Sequence, residues 1–334
     1  MFYRKLDNNM IVCDLCPKHC LIKEGEFGFC GVRKNIDGKL YTLNYGKPAA
    51  ISLDPIEKKP MYHFLPGEKA LSIGTVGCNL ACLNCQNFEL SRTRADEVEL
   101  PFVSPEEIVQ KALDMNVKII AYTYNEPTVF FEYALDIMKL AHKNDLKNVI
   151  VSNGYISPEA LSEWTPYLDG ANIDLKFFTD EKYFKVTSGH LNPILETLKS
   201  LKRAGVWFEI TNLLIPNYND DKAEISAMVD WIKNTLGGDI VLHFSRFFPM
   251  YKMQNVEPTP LDKIVEAYNI AKEKLNFVYA GNIPHTDMDN TYCPKCGKLL
   301  IERVGFDVVK NNIVDGKCRF CGAEIPGVFA DSTK

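Results

Sequence analysis

Three cysteines, Cys78, Cys82 and Cys85, fall close together in the stretch GCNLACLNCQN (77–87), behind the apolar run ALSIG. Three thiols fit neither a disulfide framework, which needs pairs, nor a closed structural zinc site, which takes four protein ligands. Soft thiolates select iron–sulfur clusters, zinc or copper(I). A cubane [4Fe–4S] cluster normally takes four cysteines. With three, one iron is left open to a small molecule, and the C-x3-C-x2-C spacing lets one short loop wrap three corners of the cube. Reductive cleavage of S-adenosylmethionine, chelated to the open iron by its amino and carboxylate groups, suits such a site. A zinc completed by histidine or water is the alternative for the same residues.

The chain has eleven cysteines, and the other eight form two groups of four: Cys13, Cys16, Cys20 and Cys30, then Cys293, Cys296, Cys318 and Cys321. In a reducing compartment such knots read as metal sites. Buried apolar thiols would be scattered, not clustered. The C-terminal group sits in CPKCGK and CRFCGA, two C-x2-C knuckles each followed by glycine. They predict a closed four-thiolate tetrahedron, a zinc ribbon, with a single rubredoxin-like iron as the alternative. The N-terminal group, CDLCPKHCLIKEGEFGFCGVR, is less regular; zinc or an auxiliary iron–sulfur cluster both fit it. With four cysteines present, His19 is not needed as a ligand.

Strong supporting elements are required to position these loops. The chain has 334 residues with 46% hydrophobic content, enough for one large unit or two to three smaller ones. From residue 70, apolar runs of strand length (ALSIG, VKIIAYTY, NVIVSNG, GANIDLKFF, VWFEITNLLIP, DIVLHFSRFF, FVYAGN) alternate with helical patterns. Ser104 and Ser157, each followed by proline, mark helix starts. This alternation predicts a parallel sheet with helices outside. The fold class is therefore α/β, a full or partial barrel of six or seven units. An open doubly wound sheet is the alternative, and no GxGxxG follows an early strand to support it. Three segments are expected: a cysteine-rich module with short strands at 1–69, the barrel core at 70–285, and a ribbon-like module at 286–334.

A net charge of −5 gives no electrostatic footprint for general nucleic-acid binding. No apolar run approaches the roughly 18–20 residues of a membrane span. The first residues lack the apolar region and cleavage site of a signal peptide, so the expected location is the cytoplasm.

In a barrel, polar residues at the C-terminal ends of strands carry chemistry. Here those ends hold Asn125-Glu126, Ser152-Asn153-Gly154, Asp174 and Lys176, Thr211-Asn212, His243, Ser245 and Arg246, and Gly281-Asn282. Asp174 and Lys176 stand two apart on a strand and so share a face. A carboxylate and an amine buried there need each other or a charged ligand. His243 and Arg246 are three apart and cannot both be assumed to line one pocket. Lys176, His243 and Arg246 are the candidates for catalytic work.

At CNLACLNC the chain resembles the radical SAM signature, placed after the first barrel strand. The resemblance implies that Cys78, Cys82 and Cys85 hold a [4Fe–4S] cluster that cleaves S-adenosylmethionine to a 5′-deoxyadenosyl radical. The residue before the third cysteine, usually an aromatic that touches adenine, is here Asn84. YTYNEPT takes the place of the Gly-Gly-Glu-type segment that holds the methionine amino group, so Asn125 and Glu126 resemble that element without its paired glycines. VSNG, with Ser152 and Asn153, and IDLKFF, with Asp174 and Lys176, are similar to segments of glycyl-radical activating enzymes that meet the carboxylate and ribose. These motifs, with CPKHCLIKEGEFGFCGVR, DPIEKKPMYHFLPG and CPKCGKLLIERVG, resemble the radical SAM member of the AmmeMemoRadiSam system, a pyruvate formate-lyase activating enzyme homologue. That family implies an external electron donor such as flavodoxin or ferredoxin, and association with AMMECR- and Memo-type proteins. The two cysteine-rich ends, were they to cover the barrel mouth, would favour a small molecule or flexible tail over a large folded target.

Overall fold

The structure is a computed structural model that describes residues 1–283 and 286–330. At its centre lies one eight-stranded sheet: β1 (Ala50–Pro55), β2 (Lys69–Gly74), β3 (Ile119–Tyr122), β4 (Lys147–Ser152), β5 (Gly170–Asp174), β6 (Trp207–Leu214), β7 (Val241–Arg246) and β8 (Phe277–Gly281). The strands lie side by side in sequence order. β2 to β8 are parallel, and β1 pairs antiparallel at the edge beside β2. A doubly wound sheet would reverse its strand order partway across; this one does not. β1 and β8 are not hydrogen-bonded to each other, so the barrel is partial.

Six crossovers join the parallel strands and carry the helices. α1 (Phe88–Arg92) and α2 (Pro105–Asp114) follow β2; α3 (Phe131–Lys143) follows β3; α4 (Pro158–Trp164) follows β4. α5 (Asp180–Thr187) and α6 (Leu191–Ala204) follow β5, α7 (Lys222–Trp231) follows β6, and α8 (Leu261–Lys272) follows β7. This is the expected (β/α)6-type arrangement with a seventh parallel strand at its end. Ser104 caps α2 through a capping box, accepting from the Glu107 amide at 3.2 Å while the Glu107 carboxylate accepts from the Ser104 amide at 2.6 Å. Ser157 caps α4 through the Ala160 amide at 3.4 Å.

One face of the sheet packs on the helices, with Ile108, Val109 and Ala112 of α2 and Phe131, Leu135 and Met138 of α3 in the main core. The other face is plugged near the strand starts by residues 56–65. Ile56, Met61, Phe64 and Leu65 pack there on Ala70, Ile119, Ala121 and Val149. Gly170, which opens β5, makes this close approach feasible: a Cβ there would sit 3.0 Å from Met61 and Phe64 side-chain atoms.

The two cysteine-rich ends take different places. Near the N-terminus, Tyr3–Lys5, Ile11–Cys13 and Cys20–Ile22 form a small antiparallel sheet, followed by the hairpin Arg33–Ile36 and Lys39–Thr42. β1, which the sequence reading grouped with residues 1–69, is a full edge strand of the barrel sheet. Near the C-terminus, Thr291–Tyr292, Leu299–Val304 and Asp307–Asn311 form a second small sheet. Leu300, Ile301 and Ile325 share a core with Tyr62, Val241, Phe277 and Tyr279. Val241 and Phe277 open β7 and β8, so this module caps the foot of the barrel and not its mouth. The expected boundary at residue 285 lies outside the described residues.

Candidate functional site

The three-cysteine loop leaves the C-terminal end of β2 and is fastened by both side-chain and backbone hydrogen bonds. Asn125 clamps its start: Oδ1 accepts from the Thr75 amide at 2.9 Å, and Nδ2 donates to the Gly77 carbonyl at 2.9 Å and to Thr75 Oγ1 at 3.1 Å. The Ala81 and Leu83 amides donate to the carbonyls of Thr187 and Val186 at the end of α5. Arg92 donates to the Leu80 carbonyl at 2.8 Å. Asn79 donates to the Tyr155 carbonyl at 2.7 Å and accepts from Asn153 at 2.9 Å.

The thiols themselves are held apart rather than at a point. Among the described residues, only the C-terminal cysteines form a group of three or more potential metal ligands within 4.8 Å of one another. Spread thiols fit a polynuclear cluster, whose corners are farther apart than the ligands of one ion. The Leu80 amide points at Cys78 Sγ at 3.4 Å, and Cys85 Sγ lies 3.0 Å from Ser91 Oγ. Burial pushes the Cys78 thiol well above its ordinary value and that of Cys82 up to about 11. Without a bound cation these sulfurs stay protonated; metal binding would release the protons.

The expected cofactor contacts divide into scaffold and free groups. Glu126 is buried and fully engaged. One carboxylate oxygen accepts from the Thr128 amide (3.0 Å), Thr128 Oγ1 (2.7 Å) and Ser152 Oγ (2.8 Å), and the other from the Asn153 amide (2.8 Å). Burial raises its pKa. Ser152 also accepts from the Gly154 amide at 3.0 Å, and Asn153 accepts from the Tyr155 amide at 2.8 Å. Asn125, Glu126, Ser152 and Asn153 therefore knit β3, β4 and the cysteine loop together. Asn84, by contrast, is buried, and its Oδ1 has no hydrogen-bond partner among the described residues. Asp174 and Lys176 form a 2.6 Å ion pair, partly exposed at the end of β5. Burial pulls the Lys176 amine down, but Asp174 and the nearby Cys82 outweigh it and raise it overall.

Among the described residues, neither His243 nor Arg246 hydrogen-bonds the cysteine loop. His243 is buried and its Nε2 lies 2.6 Å from Glu209, within ring contact of Tyr62 and Tyr279. Glu209 also accepts from the amides of Tyr62 and His63 at 2.9 and 2.7 Å, and so ties the plug to the sheet. His63 continues the network to Tyr279 at 2.6 Å and to the Pro326 carbonyl at 2.7 Å. Arg246 donates to the Thr259 carbonyl at 2.7 Å and stacks on Phe248. Strand alternation separates the two, and the polar partners that hold His243 come from the plug and the neighbouring strands, which no local motif discloses. Asn212 donates to the Leu175 carbonyl, and Asn282 to Ser245. Sequence reasoning missed Asn79 and Arg92 as loop anchors; their only signal was position within and just after the motif.

In the C-terminal knot, Cys293 and Cys321 lie 3.7 Å apart and Cys296 and Cys318 lie 3.8 Å apart. A tetrahedron with metal–sulfur bonds of about 2.3 Å has edges of about 3.8 Å. These four cysteines form a group that could hold a metal ion.

Residues 72–229 match the family model described as Radical SAM superfamily. An uncharacterized protein of Methanocaldococcus jannaschii is 45% identical over 328 residues, which is 97% of this chain and 98% of that protein. The pyruvate formate-lyase-activating enzyme of Clostridium pasteurianum is 24% identical over 218 residues, 60% of this chain and 88% of that enzyme. A radical SAM methyltransferase from Sphaerobacter thermophilus has a similar fold, with a TM-score of 0.52 at 13% identity and 71% of each chain covered. The chain carries a radical SAM superfamily domain. It is an enzyme, with homology to the pyruvate formate-lyase activating enzymes. Among the described residues no helix is long and apolar enough to cross a membrane.

Proposed function

We propose that Cys78, Cys82 and Cys85 hold a [4Fe–4S] cluster whose open iron takes S-adenosylmethionine, and that this cytoplasmic enzyme abstracts hydrogen from a substrate. When bound, the pair supplies one-electron cleavage to methionine and a 5′-deoxyadenosyl radical. The observation that carries the reading is the loop itself: three spread thiols at the end of the first parallel strand, clamped by Asn125, Asn79 and Arg92. Two further features fit the cofactor. Asn84 Oδ1, a buried acceptor without a partner, suits the exocyclic amine of adenine. The Asp174–Lys176 pair beside Cys82 offers an ammonium for the methionine carboxylate and a carboxylate for ribose hydroxyls or the amino group.

The C-terminal knot holds zinc in this reading, since its sulfur edges match the zinc tetrahedron. Homology to activating enzymes supports an external flavodoxin- or ferredoxin-type electron donor, and the motif resemblance supports AMMECR- and Memo-type proteins as partners. Activation of a glycyl-radical enzyme stands beside modification of a small molecule, tRNA or protein tail. The C-terminal module packs at the foot and lends no support to a covered mouth, whereas the N-terminal module lies against the cysteine loop.

The test is iron and acid-labile sulfide in anaerobically reconstituted protein, compared with the Cys78/Cys82/Cys85→Ala variant. The variant should lose about four irons per chain and all reductant-driven 5′-deoxyadenosine formation. Unchanged iron would leave a non-catalytic zinc-binding interaction protein as the better reading.

A further inference from the structure

The four N-terminal cysteines are built differently from the zinc-shaped knot at the foot. Cys13 and Cys20 are cross-strand neighbours on an antiparallel ladder, Cys16 lies in the loop between them, and Cys30 follows from a separate turn. All four line one partly enclosed space. They do not converge on a point: among the described residues, only the C-terminal four gather within 4.8 Å. A single ion would need the edges of about 3.8 Å that the C-terminal knot already has.

The wall of that space carries a donor in search of an acceptor. Arg33 lines it with a side chain only 3% exposed, and both terminal nitrogens are spent on Glu132 at 2.5 and 3.2 Å. Its Nε is buried and has no hydrogen-bond partner among the described residues. Four thiolates around one zinc are the sole acceptors of such a site. A cluster adds inorganic sulfides, and hydrogen bonds to its sulfurs are an ordinary means of tuning it. The Phe29 amide already points at Cys20 Sγ at 3.4 Å.

The same space abuts the catalytic loop. Asn79, Thr128 and Val129 complete its lining. Asn79 follows Cys78 directly, and Thr128 donates to Glu126. Gly77, at φ +88°, lets the two loops touch, since a Cβ there would lie 2.5 Å from the Cys30 carbonyl oxygen. Lys18 lines the same space.

We propose that Cys13, Cys16, Cys20 and Cys30 hold a second [4Fe–4S] cluster, not zinc, packed against the active-site loop. Its four irons are all ligated by protein, so it has no open position for substrate and its chemistry is one-electron transfer. One electron from an external low-potential carrier protein reduces it, and passing that electron to the active-site cluster returns it to its oxidised state. The cluster assignment rests on residues separate from those of the catalytic reading; the transfer step rests on that reading.

The experiment counts metals and reducing equivalents in the full chain after anaerobic reconstitution with iron and sulfide. Wild type should hold about eight irons and about one zinc, and take up about two electrons. The Cys78/Cys82/Cys85→Ala variant should keep about four irons and one electron, as should Cys13/Cys16→Ala. Paramagnetic resonance of each reduced variant should show one cluster signal, and the two signals should differ. In Cys13/Cys16→Ala, reduction of the active-site cluster by flavodoxin should slow at least tenfold relative to reduction by dithionite; equal slowing by both would overturn the transfer step. Wild type with about four irons and two zincs, and a Cys78/Cys82/Cys85→Ala variant with no iron, would overturn the second cluster while leaving the catalytic reading intact. Iron lost only from Cys13/Cys16→Ala would do the reverse. Should that variant misfold, the zinc count and electron uptake of wild type decide the cluster alone. Arg33→Lys is then the milder probe of the environment, and an unmoved cluster potential in it would overturn the contact with Arg33.

Discussion

Two cysteine knots bracket this barrel, and they differ in shape, place and surroundings. The C-terminal knot is drawn to a point, with sulfurs 3.7 and 3.8 Å apart, and sits at the foot against Tyr62, Val241 and Phe277. The N-terminal knot lines a partly enclosed space and lies against the loop of Cys78 at the mouth. The cause is local. Each C-x2-C knuckle turns through a glycine in the left-handed region, Gly297 and Gly322 at φ +70°, and brings its sulfurs together. Cys13 and Cys20 are instead fixed across an antiparallel ladder, whose pairs hold their Cβ atoms about 4.5–5.5 Å apart. The comparison separates two uses of the same residue: a staple where the chain must be held, and a cradle beside the chemistry. If it is right, damage at the foot is read out in stability, and damage at the mouth in cofactor handling.

The largest expected effect comes from the staple. Cys318→Ser should abolish zinc binding and unfold residues 286–330, since such sites contribute folding energy on the order of 10 kcal/mol. The loss should spread to the plug. Leu65 and Val328 share a backbone hydrogen bond of 2.7 Å, as do Val328 and His63, and Arg303 donates to the Tyr62 carbonyl at 2.8 Å. Limited proteolysis and metal analysis check this, with S-adenosylmethionine affinity measured at a temperature where the barrel stays folded. An intact, protease-resistant module without its metal would break the distinction between staple and cradle.

The second effect is the pH dependence of the foot, where two buried groups pull in opposite directions. Burial lowers His63 to about 4 and raises Glu57 to about 7, amid Arg303, Glu209, His243, Tyr62 and Tyr279. His63 is neutral when folded but protonated when unfolded between about 4 and 6.5, so its contribution to stability rises with pH across that window. Glu57 is protonated when folded but ionised when unfolded between about 4.5 and 7, so its contribution falls as pH rises. Each amounts to about 3 kcal/mol, and in the parent protein they offset. His63→Gln should therefore leave stability falling from pH 4.5 to 7, and Glu57→Gln should leave it rising. Urea unfolding at several pH values checks the signs. Matching slopes in the two variants would show that the foot is not the electrostatic unit its geometry describes.

These effects also mark what was legible in the sequence. Apolar runs alternating with helical patterns disclosed the strands, and serine–proline pairs disclosed two helix starts, because both signals are local. The cysteine groups were equally plain. The destination of each group was not, since it depends on contacts such as Gly77 with Cys30 or Leu300 with the barrel foot, between residues far apart in the chain. His243 shows the same limit. Its place near a strand end suggested the mouth, but Glu209 is the partner that holds it, from a neighbouring strand. The hydrogen bonds by which Asn125 and Glu126 hold the frame were not legible, because a side chain that bonds backbone amides looks no different in sequence from one that awaits a ligand. The orphaned Asn84 oxygen became informative only once its burial was known.

The smallest effect sharpens the comparison most. Lys176→Ala should weaken S-adenosylmethionine binding by roughly ten- to a hundred-fold, the loss of one charge-assisted contact of about 1.5–3 kcal/mol. Iron content should not change, because among the described residues the Lys176 side chain bonds Asp174, at 2.6 Å, and not the cysteine loop. Stability should fall by less than about 1 kcal/mol, since the pair is partly exposed, at 21% and 33%. Glu126→Ala should behave in the opposite way. Its carboxylate joins Thr128, Ser152 and Asn153, so removing it should loosen the frame around Cys78 and lower cluster occupancy together with stability. Equilibrium binding of the cofactor to reconstituted protein, with iron content and thermal unfolding measured on the same samples, separates the two profiles. A Lys176→Ala protein that binds the cofactor as tightly as the parent would move the pocket away from β5. The orphaned acceptor of Asn84 would then have to be explained by some other donor.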